Sequence, residues 1–244
     1  MNIVAACHVH SDWSYDGSYT LEALRDKFSR SGYDVILMTE HDRGFSSERL
    51  RQLRQLCVAT STKDLLIIPG IEYSDALNQV HVLVWGDVPF LGENLPTRET
   101  LHKVKAAGGV AVLAHPFRKN VWQCFEQSWA EGLLGIEVWN RKYDGWAPNR
   151  MAQDLQRSIG AIPFVGLDFH TQRQFFPLAM TMDIDSTITE HAVLECLRAR
   201  RVKPRVCGLQ IDSFPFRQTL PVLGMMESCR KKSAKVSRKL KLRL

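Results

Sequence analysis

Short apolar runs alternate along the chain with segments in which apolar residues recur every three or four positions. The runs are Ile3–Cys7, Val35–Met38, Leu65–Ile68, Val80–Trp85, Val110–Leu113, Leu133–Val138, Ile162–Leu167 and Leu178–Met182. Continuous runs of this length suit strands covered on both faces, as in a parallel sheet. Helical spacing fills the gaps between them. Thr20 is placed to cap a helix carrying Leu21, Leu24 and Phe28, which Gly32 ends. Leu50, Leu53, Leu56 and Cys57 mark a second helix, and Leu101 with Val104 a third, stopped at Gly108-Gly109. Met151, Leu155 and Ile159 mark a fourth before Gly160, and Thr189 opens a fifth with Val193, Leu194 and Leu197. Strand–helix alternation repeated about seven times predicts an α/β barrel or a doubly wound sheet. No repeat, linker or low-complexity segment breaks the pattern, and the segment after Arg200 carries no readable one.

Length and charge refine this picture. A chain of 244 residues suffices for one domain with a well-buried core. No stretch approaches the roughly 20 apolar residues that span a bilayer. The N-terminus, MNIVAACHVHSDWS, has no basic region followed by an apolar core. A cytoplasmic protein without membrane contact is the expectation. The net charge of +6 first points to nucleic acid, but eight basic residues from Arg230 to Arg243 account for it. Without them the balance is 24 basic against 26 acidic residues, or −2. The chain therefore divides into a body, 1–228, and a basic tail, 229–244, which reads first as a solvated terminal segment and second as a contact for an acidic surface. The six cysteines are scattered with no CxxC pair, so they read as structural or incidental.

The candidate chemistry lies where apolar runs end. Six of the eight histidines are placed there, with several carboxylates: His8, His10, Glu40-His41-Asp42, Glu72, His81, His115, Asp168 and His170. Active sites of α/β barrels assemble at the C-terminal ends of the strands. Strand residues i and i+2 face the same side, so His8 pairs with His10 and Asp168 with His170. Any one of these has a commonplace reading, a hydrogen-bonded core histidine or a helix-capping Asp. Burying so many imidazoles and carboxylates together without a cation would be costly. The pattern therefore predicts a site for several metal ions, and mixed nitrogen and oxygen donors point to Zn, Mn or Fe. His102 and His191 fall in helical patterns and read as exposed. Trp85, Trp139 and Trp146 read as packing residues.

At this point the sequence resembles a family. His8-Val-His10-Ser11 with Asp16-Gly17, Thr39-Glu40-His41-Asp42, Gly70-Ile71-Glu72, Ala114-His115-Pro116-Phe117 and Gly166-Leu167-Asp168-Phe169-His170 are similar, in order, to the motifs of the PHP (polymerase and histidinol phosphatase) superfamily. The resemblance covers roughly residues 1 to 185 and implies a distorted (β/α)7 barrel of the TIM type with two to three divalent metal ions. It further implies that His8, His10, Glu72 and Asp168 hold one metal. Glu72 would bridge to a second, completed by His81 and His115, while Asp16, His41 and His170 hold the third. Asp16 stands where some members have His, and Glu40 where Asp is common, so Glu40 reads as a ligand or as support behind the ligands.

Metal chemistry of this kind implies hydrolysis of a small phosphate monoester or diester by activated water. Arg118, Arg173 and Arg43 each follow a ligand motif and are candidates for holding phosphate oxygens, Arg118 first and Arg173 second. Glu137 and Asn140, also at a strand end, either orient a ligand or are satisfied by backbone amides. The alternatives are hydrolysis of a carboxylic or carbamate ester, and a nuclease or polymerase-associated module using the tail. Nucleic acid is disfavoured because no basic run flanks the motifs. A non-catalytic binding module would be expected to lack ligands, and here the set is filled. Sequence leaves the oligomeric state undetermined.

Overall fold

The computed structural model describes residues 1–185, 187–212 and 218–230. All eight apolar runs form strands. They are β1 (Asn2–Val9), β2 (Val35–Met38), β4 (Leu66–Ile68), β6 (His81–Trp85), β7 (Val110–Leu113), β8 (Gly135–Asn140), β9 (Ile162–Gly166) and β10 (Leu178–Asp183). Two strands escaped the reading because they hold the polar site residues: β3 (Glu40–His41) and β5 (Gly70–Ser74). The unassigned region after Arg200 adds β11 (Val202–Val206) and β12 (Leu209–Gln210); β11 buries Val202, Pro204 and Val206 in alternation with Lys203 and Arg205 and so has no continuous apolar run.

The expected helices are α1 (Leu21–Arg30), α2 (Ser47–Thr60), α3 (Thr97–Ala106), α4 (Arg150–Ser158) and α5 (Glu190–Arg198). Thr20 caps α1 by accepting from Ala23 N, and Thr189 caps α5 by accepting from Ala192 N, as the sequence implied. Gly32 and Gly160, just past α1 and α4, have φ of +78° and +65°, which a side chain would strain. A further helix, α6, covers 218–230 and docks through buried Glu227, which accepts the Trp146 backbone N–H at 3.3 Å. Residues 229 and 230 close α6, and the rest of the expected basic tail lies outside the described residues. Among the described residues, no helix is long and apolar enough to cross a membrane.

The strands form two mixed sheets, ordered β12-β11-β10-β1-β2-β4 and β3-β5-β6-β7-β8-β9. This corrects the expectation of parallel pairing throughout. β6 runs antiparallel to both β5 and β7, because only residues 75–80 join it to β5, too few for a crossover helix. At two single-residue bends a strand of one sheet runs directly into a strand of the other, β2 into β3 at Thr39 and β4 into β5 at Pro69. On the far side, residues beyond β9 return to β1. Leu167 N donates to Cys7 O, Phe169 N to His8 O, and His10 N to Phe169 O, at 2.9–3.0 Å. The ends of β1, β3, β5, β7 and β9 and the start of β6 thereby gather in one region.

Packing at the Pro69 bend is tight. Trp85 is buried and its indole N–H donates to Met38 O at 2.7 Å, closing the end of β2. A Cβ on Gly70 would lie 2.5 Å from that same carbonyl oxygen and from Trp85 Cδ1. Gly70→Ala must therefore push the ring or the backbone aside, and a loss of about 2–3 kcal/mol is expected in urea unfolding.

Candidate metal centre

Three of the site residues sit in backbone conformations that side chains normally avoid. φ is +59° at His8, +26° at His115 and +49° at Asp168. Each lies where its strand ends and the chain turns, so the turn itself aims the side chain inward. At His8 the pairing with β2 also slips between Cys7 and Val9, a bulge. The two histidines of the first motif therefore converge through a distorted strand end, not through plain alternation, and their ring centroids stand 5.2 Å apart. His81 is likewise not at a strand's end. It opens β6, and reaches the same region because β6 runs antiparallel to its neighbours.

Glu72, on β5, is the centre of the cluster and is 1% exposed. Its carboxylate oxygens lie 2.6 Å from His81 Nδ1, 3.1 Å from His41 Nδ1, 3.2 Å from His115 Nε2, and 3.4 Å from Nε2 of both His8 and His10. Burial opposes its charge, yet the surrounding imidazoles, His81 and His8 foremost, hold the carboxyl well below the usual range. Asp168 approaches the same ring nitrogens as Glu72. It lies 3.9 Å from Nε2 of His8 and His10 and 3.2 Å from His170 Nδ1. Asp16 links His41 and His170, at 3.2 and 3.1 Å from their Nε2 atoms. Burial depresses the His41 ring, but hydrogen bonds to Asp16 and Glu72 outweigh it and raise the pKa to about 10.

All nine predicted ligands are thus brought together. Seven of them fall in three groups whose donor atoms lie within 4.8 Å of one another: His10 with His41 and His170, His8 with Glu72 and His115, and His8 with His10 and Asp168; Asp16 and His81 stand beside these groups. The Nε2 atoms of His8 and His10 and the Nδ1 of His115 are buried with no hydrogen-bond partner. The first two face Glu72 and Asp168, an arrangement that suits cation binding, and the residues present fit such a group.

A second layer fixes these rings. Glu137, on β8, is fully buried; it lies 2.8 Å from His8 Nδ1, accepts from His115 N at 2.8 Å and accepts from Asn140 Nδ2 at 2.9 Å. Both sequence readings of Glu137 therefore hold, since it orients a histidine and also takes a backbone amide. Glu40 does not face the cluster. It accepts from Ser11 N (3.0 Å), Ser11 Oγ (2.6 Å) and Ser14 Oγ (2.5 Å). Ser14 in turn accepts from His41 N and lies 3.3 Å from His10 Nδ1.

Outside the cluster, Arg118 Nη1 is 2.8 Å from His81 Nε2 and donates to Asn78 O at 3.2 Å. Arg173 sits in an exposed turn and, among the described residues, makes no ion pair or side-chain hydrogen bond. Arg43 lies over the Tyr15 ring, which stacks on His41. Sequence reasoning missed Lys142, whose ammonium is 3.1 Å from Asp168 Oδ1, and Tyr143, whose ring meets His115 edge-on at 4.8 Å. Nothing in their spacing marked them, because they lie in a turn after β8. His102 and His191 are exposed, Trp85 and Trp139 are core residues, and Cys57 and Cys196 are buried in helices, as read.

No family model and no curated protein sequence matches the chain. Among solved structures, PsfC from Pseudomonas syringae PB-5123 matches with a TM-score of 0.66 and 16% identity, over 96% of this chain and 99% of that one. An amidohydrolase from Chromobacterium violaceum, with bound sulfate, matches with a TM-score of 0.52 and 16% identity, over 81% of this chain and 96% of that one. The lesion-specific endonuclease EndoQ from Pyrococcus furiosus matches with a TM-score of 0.60 and 12% identity, over 82% of this chain but 56% of that one. At these identities the likeness shows a shared fold alone.

The buried Glu40 network generates a stability prediction. Glu40→Ala strands the Ser11 amide and two hydroxyls without their acceptor and leaves a cavity beside His41. A loss of about 3–5 kcal/mol is expected, measured by urea unfolding of the metal-free protein.

Proposed function

We propose that the protein is a metal-dependent phosphoesterase that hydrolyses a small phosphate ester. The fold is taken as a distorted (β/α)7 barrel, a reading supported by the hydrogen bonds that lead from β9 back to β1. The observation that carries the function is the pair of buried, unpartnered Nε2 atoms of His8 and His10, both facing Glu72 and Asp168, within a cluster of further imidazoles. In this assignment His8, His10, Glu72 and Asp168 hold one divalent ion, Glu72 shares a second with His81 and His115, and Asp16, His41 and His170 hold a third. The mixed nitrogen and oxygen set favours Zn, Mn or Fe. Bound there, such ions would supply a water activated at neutral pH and neutralise charge on the phosphoryl group.

The chain's own residues prepare that chemistry. Glu137 presents His8 through its Nδ1, leaving Nε2 free to ligate, a bond that keeps the ring basic. Burial and the neighbouring rings of His41 and His170 hold His10 neutral, the form that ligates. Arg118, at the mouth beside His81, provides a planar donor for a non-bridging oxygen. Arg173 is a weaker candidate because of its exposed, separate position.

The activity test is hydrolysis of a panel of phosphomonoesters, dinucleotides and carboxylic esters, followed as inorganic phosphate, mononucleotide and free acid respectively, with Mn- or Zn-reconstituted protein. Metal-dependent release is expected, falling at least about 100-fold in His41→Ala. Cleavage of carboxylic esters alone would move the reading to that class. Metal uptake offers a second measurement. His41, with a pKa raised to about 10, carries a proton in the metal-free protein near pH 7.5 and must lose it to ligate. Calorimetry in buffers of different ionisation enthalpy should register at least one proton released per chain, and affinity should rise with pH until the ring's own pKa is passed.

A further inference from the structure

Four cations from three parts of the chain stand around the cluster: Arg43, the adjacent Arg118 and Lys119, and Lys142. Two of them share one aromatic support. The Arg118 guanidinium lies 5.6 Å from the Tyr143 ring centroid and the Lys142 ammonium 5.7 Å from it. Arg118 touches the His81 side of the cluster, while Lys142 touches Asp168 and stands 3.4 Å from His170 Nε2, on the other side. Tyr143 itself meets His115 and is 36% exposed, and the Lys142 side chain is 29% exposed. Both cations thus sit at the lip, one at each end of the donor cluster.

An ammonium has three donors, and Asp168 takes one of those on Lys142 with good geometry. The guanidinium of Arg118 has five, of which Nη1 is used. Both keep capacity for an incoming anion. From these positions we infer that the substrate enters as a terminal phosphate, a monoester dianion, gripped by Arg118 at one end and Lys142 at the other across Tyr143. This rests on the phosphoesterase reading and narrows its substrate class. A monoester phosphate carries close to two negative charges over three oxygens, whereas a diester carries one charge over two. Two cationic donors at opposite ends of the site match the former. A diester must also lead a second substituent out past the lip, where Tyr15 over His41 and Tyr143 against His115 form two walls. Beside His41 a cavity of about 290 Å³, lined by Tyr15, Arg43, Ser74, Asp75, Asn78 and Asn94 among others, gives room for one small polar leaving group. Its hydroxyl, amide and carboxylate lining suits an alcohol that bears further hydroxyls or amines.

The test uses the metal-reconstituted full chain, with Lys142→Met, Lys142→Arg and Arg118→Met. Elemental analysis first establishes metal content. Inorganic phosphate affinity is then measured by calorimetry, and hydrolysis is followed on p-nitrophenyl phosphate and bis(p-nitrophenyl) phosphate. Each Met variant should keep the wild-type metal content and bind phosphate at least about 10-fold more weakly. Each should lose about 30-fold or more in kcat/KM on the monoester and a factor at least about 5-fold smaller on the diester, with Lys142→Arg recovering part of the loss. An equal fall on both esters, unchanged phosphate affinity, or metal loss in Lys142→Met would each overturn the inference. A wild-type protein that prefers the diester keeps the phosphoesterase reading and refutes this one. If it hydrolyses neither ester yet binds phosphate through Lys142, the hydrolase reading fails and the clamp stands.

Discussion

The arrangement depends on one buried carboxylate. Glu72 is nearly inaccessible and has five imidazoles within 3.4 Å. An isolated carboxylate so deeply placed would be neutralised or would cost several kcal/mol. Here the rings keep it ionised, and in return it fixes where they converge. The backbone serves that convergence. The bends at Thr39 and Pro69 carry β3 and β5 from one sheet to the other, so His41 and Glu72 pair side by side in register. The short hairpin before β6 delivers His81 from the opposite direction, within 2.6 Å of the same carboxylate. Residues beyond β9 return to β1 and bring Asp168 and His170 against His8 and His10.

Holding this geometry needs more than the cluster. His8, His115 and Asp168 stay in a backbone region that costs of order 1 kcal/mol or more each, so surrounding bonds must over-determine them. Glu137 does so for two of them at once, through the His8 ring and the His115 amide. Glu40 does the same for the first motif, tying Ser11 and Ser14 so that Ser14 meets both His41 and His10. Rigid presentation matters for the proposed chemistry, because a site of several metals tolerates little displacement of its ligands. The lip is built differently. Lys142, Tyr143 and Arg118 are partly exposed and lie on turns, where substrate contact is made and where related folds can vary without disturbing the interior.

Much of this was legible in the chain. Apolar runs set the eight main strands, since a strand covered on both faces requires continuous hydrophobicity. Thr20 and Thr189 marked helix starts through their own hydroxyls, and a helix cap needs only three neighbouring residues to be recognised. The proposed ligands were visible because burying many ionisable residues among apolar strand ends is costly without a shared purpose, and His8 to His170 stood there in recognisable order. These are local signals, each fixed within a few residues.

What only the tertiary structure decided involved partners far apart in sequence. The direction of β6 depended on a hairpin whose polar strand, β5, has no apolar run to announce it. The convergence of His8 with His10 came from a bulge, which is a property of pairing with β2, not of the motif. Whether Glu40 was ligand or support turned on two serines beside it in space, and Arg118 was separated from Arg173 by which turn reached the mouth. Lys142 carried no signal at all, since a lysine two residues past a strand is an ordinary surface residue until Asp168, 26 positions later, is folded against it. Sequence determined which residue types were available and which were buried; distance between them is a property of the closed fold, and that alone decided which of them meet.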